Sequence, residues 1–106
     1  MAKYLFEARY TLEGGKGIAR EGGTSRRAAI TKMAEGMGGK LESVYFAFGD
    51  VDAYVIVDLP DNTTAAAVAL AVNNGGGATV KTIVLLSPED VDAASKKTVE
   101  YRAPGR

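Results

Sequence analysis

Alternate positions in four segments of the chain separate into an almost wholly apolar set and a mixed one. Taken with the period of two expected of strands, the apolar set is Tyr4, Phe6, Ala8, Tyr10; Val44, Phe46, Phe48; Ala53, Val55, Val57, Leu59; and Val80, Thr82, Val84, Leu86. The intervening set is Leu5, Glu7, Arg9; Ser43, Tyr45, Ala47; Tyr54, Ile56, Asp58; and Thr79, Lys81, Ile83, Leu85. The first face reads as a domain core. The second is too apolar for water and too polar for a core, which is the pattern of an oligomer interface or a pocket between subunits.

These segments predict strands over residues 3–10, 40–48, 52–59 and 78–86. Ile30, Met33, Ala34 and Met37 recur at i, i+3, i+4 and i+7, which predicts a helix from Thr24 that Gly38 and Gly39 end. Pro60 ends the third strand, and Asp61 or Asn62 caps a second helix of Ala, Val and Leu that finishes at Asn73, Asn74 and Gly75. Ser87, Pro88, Glu89 and Asp90 have the form of a capping box with proline at the first helical position, the start of a short C-terminal helix. Residues 98–106 read as a loose or extended tail. Between Thr11, a plausible N-cap, and Thr24, the residues Gly14, Gly15, Gly17, Gly22 and Gly23 argue for a turn or broken helix.

The order βαββαβ then gives an α+β, ferredoxin-like sandwich: a four-stranded antiparallel sheet with two helices on one face. Residues 1–106 form a single domain. Two helices cover one face only, so another subunit is expected over the other, making the protein a homodimer or a higher oligomer.

Composition narrows the chemistry. The chain has neither cysteine nor histidine, so disulfides, thiolate nucleophiles and imidazole bases or metal ligands are excluded. Thirteen basic residues balance thirteen acidic ones, leaving no net field for nucleic acid or an anionic membrane. No apolar run approaches the roughly 20 residues of a membrane span, and the N-terminus lacks the zones of a signal peptide. The expectation is a cytoplasmic protein with no cofactor and no metal, whose partners are its own copies and a small organic ligand.

Two phosphate-loop patterns fail on inspection. Residues 17–24 match GxxxxGK[ST] except that Gly23 stands at the lysine, and Gly15-Lys16-Gly17 opens a GxGxxG whose last glycine is Arg20. Arg26 is more informative, because it falls near the inward stripe of the first helix, in a first turn that disfavours a cation. A local anion, either a structural ion pair or a ligand, is expected to compensate it. Topology brings Glu7, Arg9, Tyr45, Asp52, Tyr54 and Lys81 to one edge of the mixed face, with Asp50 in the hairpin turn. Together with Arg26 they form the candidate ligand-binding set.

Several of these stretches resemble a family. Glu21-Gly22-Gly23 followed by Arg26-Arg27, then Gly38-Gly39-Lys40-Leu41-Glu42, Tyr45-Phe46-Ala47-Phe48-Gly49, Asp52 and Asp58-Leu59-Pro60, are similar to the GYD-domain family. The resemblance spans about residues 3–90 and implies the ferredoxin-like, dimeric α/β-barrel type of fold. It implies no reaction. The family's Gly-x-Tyr-Asp pattern falls on Gly49, Val51 and Asp52, with Val51 in place of the tyrosine. A small-molecule binding module is therefore expected, with a structural or accessory oligomer as the alternative. A cofactor-independent monooxygenase- or isomerase-like enzyme is a third reading.

Overall fold

The computed structural model describes all of residues 1–106. The chain runs β1 (Ala2–Tyr10), α1 (Leu12–Glu21), α2 (Gly23–Gly36), β2 (Lys40–Phe46), β3 (Ala53–Leu59), α3 (Asn62–Asn74), β4 (Ala78–Leu85) and α4 (Pro88–Ser95). The four strands form one antiparallel sheet in the order β2-β3-β1-β4. This is the α+β, ferredoxin-like arrangement that the alternation predicts.

The sheet's apolar face carries the core. Tyr4 and Phe6 of β1 and Val55, Val57 and Leu59 of β3 pack against Ile30 and Ala34 of α2 and Ala65 and Val68 of α3. β2 keeps both Leu41 and Val44 on this face because the register shifts between Leu41 and Ser43, a bulge around Glu42. The Tyr4 hydroxyl, on a side chain that is otherwise fully buried, donates to Asn62 Oδ1 at 2.6 Å and so ties β1 to the start of α3. On β4 the parity holds but the cover does not. Val80 packs on the core, whereas Val84, and Leu86 just past the end of the strand, remain exposed.

Two departures from the predicted elements have local causes. The glycine-punctuated stretch is not a turn: Leu12–Glu21 is a regular helix, so three helices rather than two precede the C-terminal one. Three glycines inside it cost roughly 1 kcal/mol each relative to alanine, and tertiary bonds offset that cost. Thr11 caps the helix by accepting from the Gly14 N–H at 3.1 Å. It also anchors the helix to the loop before β4, its N–H donating to Gly77 O at 3.0 Å and its hydroxyl to Gly76 O at 2.7 Å. The helix break falls instead at Gly22, whose φ of +88° lets one residue end α1 and begin α2. With residues 15–21 in a helix, their N–H groups serve helical bonds and no phosphate-binding loop follows a strand.

The hairpin is the second departure. β2 stops at Phe46 and β3 starts at Ala53, so the connection is longer than the Gly49-Asp50-Val51 turn expected from the sequence. Asp52 replaces the missing ladder: its N–H donates to Ala8 O at 2.9 Å, and its carbonyl accepts from the Ala47 N–H at 2.8 Å. α4 is the short C-terminal helix that the sequence predicts: it starts with the Ser87 and Asp90 capping box and has no buried residue. Residues 98–106 contain neither helix nor strand.

Candidate functional site

Helix α1 lies over the sheet with Gly14, Gly17, Ile18 and Glu21 on one side, the i, i+3, i+4, i+7 spacing of a helical stripe. A stripe of this kind ordinarily carries the side chains that seal a helix onto its sheet. Here two of the four positions are glycine: Gly14 lies against the Gly77 backbone, and at Gly17 the space stays open. The resulting cavity, of about 400 Å³, is completed by Tyr10, Arg26, the C-terminal end of α3 at Ala71 and Val72, and the loop residues Gly75 and Gly77. That volume is within the range of small-molecule sites.

Arg26 is the charged group of this cavity that is withdrawn from water. Its residue is half-buried, and its Nε has no hydrogen-bond partner. The chain's ion pairs are both made by Lys3, with Glu42 and, at 2.9 Å, with Asp58. Those two carboxylates raise the Lys3 pKa, chiefly through the hydrogen bonds they accept. The anion expected beside Arg26 is therefore not supplied by the protein. Glu21 also lines the cavity but is exposed, where water screens its charge.

Tyr10 stands beside Arg26. Burial pushes its phenol above the ordinary tyrosine range; the Arg26 guanidinium acts in the opposite sense, and the Asp52 carboxylate adds to the rise. The phenol is therefore protonated at neutral pH and can donate a hydrogen bond. A second hollow, of about 430 Å³, adjoins the first and shares Tyr10 and Ile18 with it. Its other walls are Thr11, Gly15, Gly23, Phe46, Ala47, Phe48 and Asp52. Phe48 is wholly exposed in the hairpin connection, and the Phe46 ring comes within 3.3 Å of where a Cβ on Gly23 would stand.

The residues proposed from sequence thus divide among the two hollows beside α1 and the opposite face of the sheet. Arg26 lines the first cavity and Asp52 the second. Asp52 is partly committed, because Oδ2 accepts from the Tyr10 N–H at 2.9 Å. Glu7, Arg9 and Lys81 line a recess of about 70 Å³ on the opposite face of the sheet, too small within one chain for an organic molecule. Glu7 faces both Tyr54 and Lys81 across the ladders, and Tyr45 faces Tyr54. Arg9 Nε donates to the Asp50 carbonyl at 2.6 Å, which fixes the hairpin rather than pairing two charges. The sequence pattern does not single out Tyr10, Gly17 and Ile18 as site residues. The signal for Gly17 and Ile18 is the stripe spacing within the glycine-rich segment, which the low helix propensity of its glycines masks.

No group of three or more acidic residues is placed to hold a metal ion, and no helix is long and apolar enough to cross a membrane. No curated protein and no solved structure matches the chain. The profile of the GYD domain matches residues 4–95, which includes the sheet, the glycine-striped α1 and Arg26, and so the chain belongs to the GYD domain family.

Proposed function

We propose that this protein is a homo-oligomeric small-molecule binding module whose ligand carries an anionic group, held in the cavity beneath α1. The observation that carries this reading is Arg26: a half-buried guanidinium whose Nε lacks a partner, beside a protonated phenol, on a cavity of about 400 Å³. A buried cationic donor without an acceptor is costly. A carboxylate or a similar oxyanion would satisfy it, with Arg26 supplying charge and N–H donors and Tyr10 a further O–H. Ile18, Val72 and Ala71 provide an apolar wall. Binding ranks above catalysis because the one carboxylate that lines the cavity, Glu21, is exposed to solvent.

The oligomer rests on the open face of the sheet. Tyr45, Tyr54 and Ile83 are exposed there beside half-covered Leu5, Ile56 and Leu85, and only 12 of 106 residues are buried in the single chain. A second copy over this face would remove that apolar surface from water at roughly 25 cal/mol per Å² and close the recess of Glu7, Arg9 and Lys81. The test of the binding reading is titration with benzoate, followed by the amide resonances of Gly14 and Gly17. Saturable shifts that vanish in Arg26→Gln support it. Shifts unchanged in Arg26→Gln, or none at all for benzoate, acetate and octanoate alike, overturn it.

A further inference from the structure

The two hollows beside α1 differ in character. The first holds the guanidinium and the phenol; the second is walled by Phe46, Phe48 and Ala47, and the one charged residue on its lining is the Asp52 carboxylate, which would repel an anionic head. They meet at Tyr10 and Ile18, which line both. Their separation is short: the Phe46 ring lies against Gly23, and Gly23 precedes Arg26 by three residues on α2, a rise of about 4.5 Å. From Arg26 to the aromatic pair is therefore a distance that one extended small molecule can cover.

Resting on the anion-binding reading above, we infer that the two hollows form one site for an elongated amphiphilic anion. Its charged head sits on Arg26 and Tyr10, and its apolar body passes Ile18 to lie against Phe46 and Phe48. The inference accounts for two features that the fold alone leaves without a role. Phe48 is fully exposed on a connection that could carry any polar residue, and burying it under a ligand recovers its apolar surface. Gly15 and Gly17 have open space where a side chain would stand, one in each hollow. Helix propensity alone would favour alanine at both; glycine keeps the passage beneath α1 wide.

The class of ligand follows from the chemistry of the two ends. A short carboxylate fills only the first hollow. A medium-chain alkanoate or an arylalkanoate fills both, and each methylene taken from water should raise affinity about three- to fourfold. A cationic or neutral amphiphile leaves Arg26 unsatisfied and should bind no better than a short anion.

The experiment is a titration of the full chain with acetate, butanoate, hexanoate and octanoate, all kept below their aggregation concentrations and followed by amide chemical shifts. The wild type is compared with Arg26→Gln, Phe48→Ser and Gly17→Leu, each checked for native circular dichroism. The expected result is affinity that climbs about tenfold per two methylenes, with shifts reaching Gly23 for the longer acids. Phe48→Ser, a change at an exposed side chain that the fold does not need, should flatten the slope while leaving butanoate binding intact. Gly17→Leu should block every member of the series.

Arg26-dependent binding with no gain along the series overturns the elongated site and leaves the anion-binding reading standing. A steep gain that survives in Arg26→Gln means apolar adsorption and overturns both. A gain unaffected by Phe48→Ser and Gly17→Leu places the apolar body elsewhere and overturns the inference.

Discussion

Gly14 and Gly77 meet backbone to backbone: a Cβ on Gly14 would stand 1.7 Å from the Gly77 carbonyl oxygen. That same oxygen accepts the N–H of Thr11 at 3.0 Å, so the first turn of α1 is seated directly on the loop that leads into β4. The seat holds a helix whose own propensity is poor and fixes the roof of the cavity at a set height above the sheet.

Gly14 and Gly17 should therefore respond oppositely to the same substitution. Gly14→Ala drives a methyl group into a carbonyl and should destabilise by about 1–3 kcal/mol. Gly17→Ala meets open space and adds helix propensity, so it should stabilise by about 0.5–1 kcal/mol. Urea unfolding of the two variants measures this. Equal effects would mean that α1 is not seated on the Gly77 loop.

Arg26 is expected to trade stability for binding. Sequence reading predicts a paired charge whose loss costs stability, but the side chain lacks an ion pair and its Nε lacks any partner. Arg26→Met, which keeps the apolar stem, should leave unfolding free energy within about 1 kcal/mol of the wild type or above it. Arg27→Met, at an exposed position, should change stability by no more than about 0.5 kcal/mol. A large loss of stability in Arg26→Met with no bound ligand would mean that the guanidinium serves the fold.

Asp61 gives the pH dependence its sign. As N-cap of α3 its Oδ1 accepts from the Thr64 hydroxyl at 2.7 Å and from the Thr64 N–H at 2.8 Å. These bonds, the hydroxyl first, hold its carboxyl below the ordinary aspartate range. A carboxyl whose folded pKa is depressed contributes stability above its unfolded pKa and loses it as the pH falls through the folded value. Asp61→Ala should thus lower the melting temperature at pH 7 and lower it less at pH 2. Asp61→Asn, which keeps a capping oxygen, should retain most of the stability at both. A difference between wild type and Asp61→Ala that is the same at the two pH values would show that the carboxylate charge has no part in the cap.

Ile56 tests the open face. It is half-covered at the centre of the sheet, paired in register with Leu5 and Ser43. Sedimentation of the wild type at micromolar concentration should give a species at least twice the chain mass of 11.1 kDa, and Ile56→Asp should release monomers. A wild type that sediments only as the single chain removes the oligomer from the proposal.

What the sequence determines by itself is the sheet. Strict alternation in β1 and β3 leaves one burial pattern possible, because a one-residue slip would put Glu7 and Asp58 in the core, and short connections leave few ways to order four strands. Caps are legible for the same reason, since Thr11, Asp61 and Ser87 act on N–H groups within three residues of themselves. The cavity is another matter. Whether residues 12–21 coil or turn depends on three glycines whose helical cost is about 3 kcal/mol together, and what offsets it lies more than sixty residues away at Gly76 and Gly77. Local propensity carries no record of bonds made at that distance. Arg26 shows the same limit: its stripe position places it inward, but only the packed helices decide that no carboxylate reaches it. Likewise Asp52 lies beside the turn in the sequence, and only the closure of β1 against the hairpin gives its carboxylate to the Tyr10 N–H.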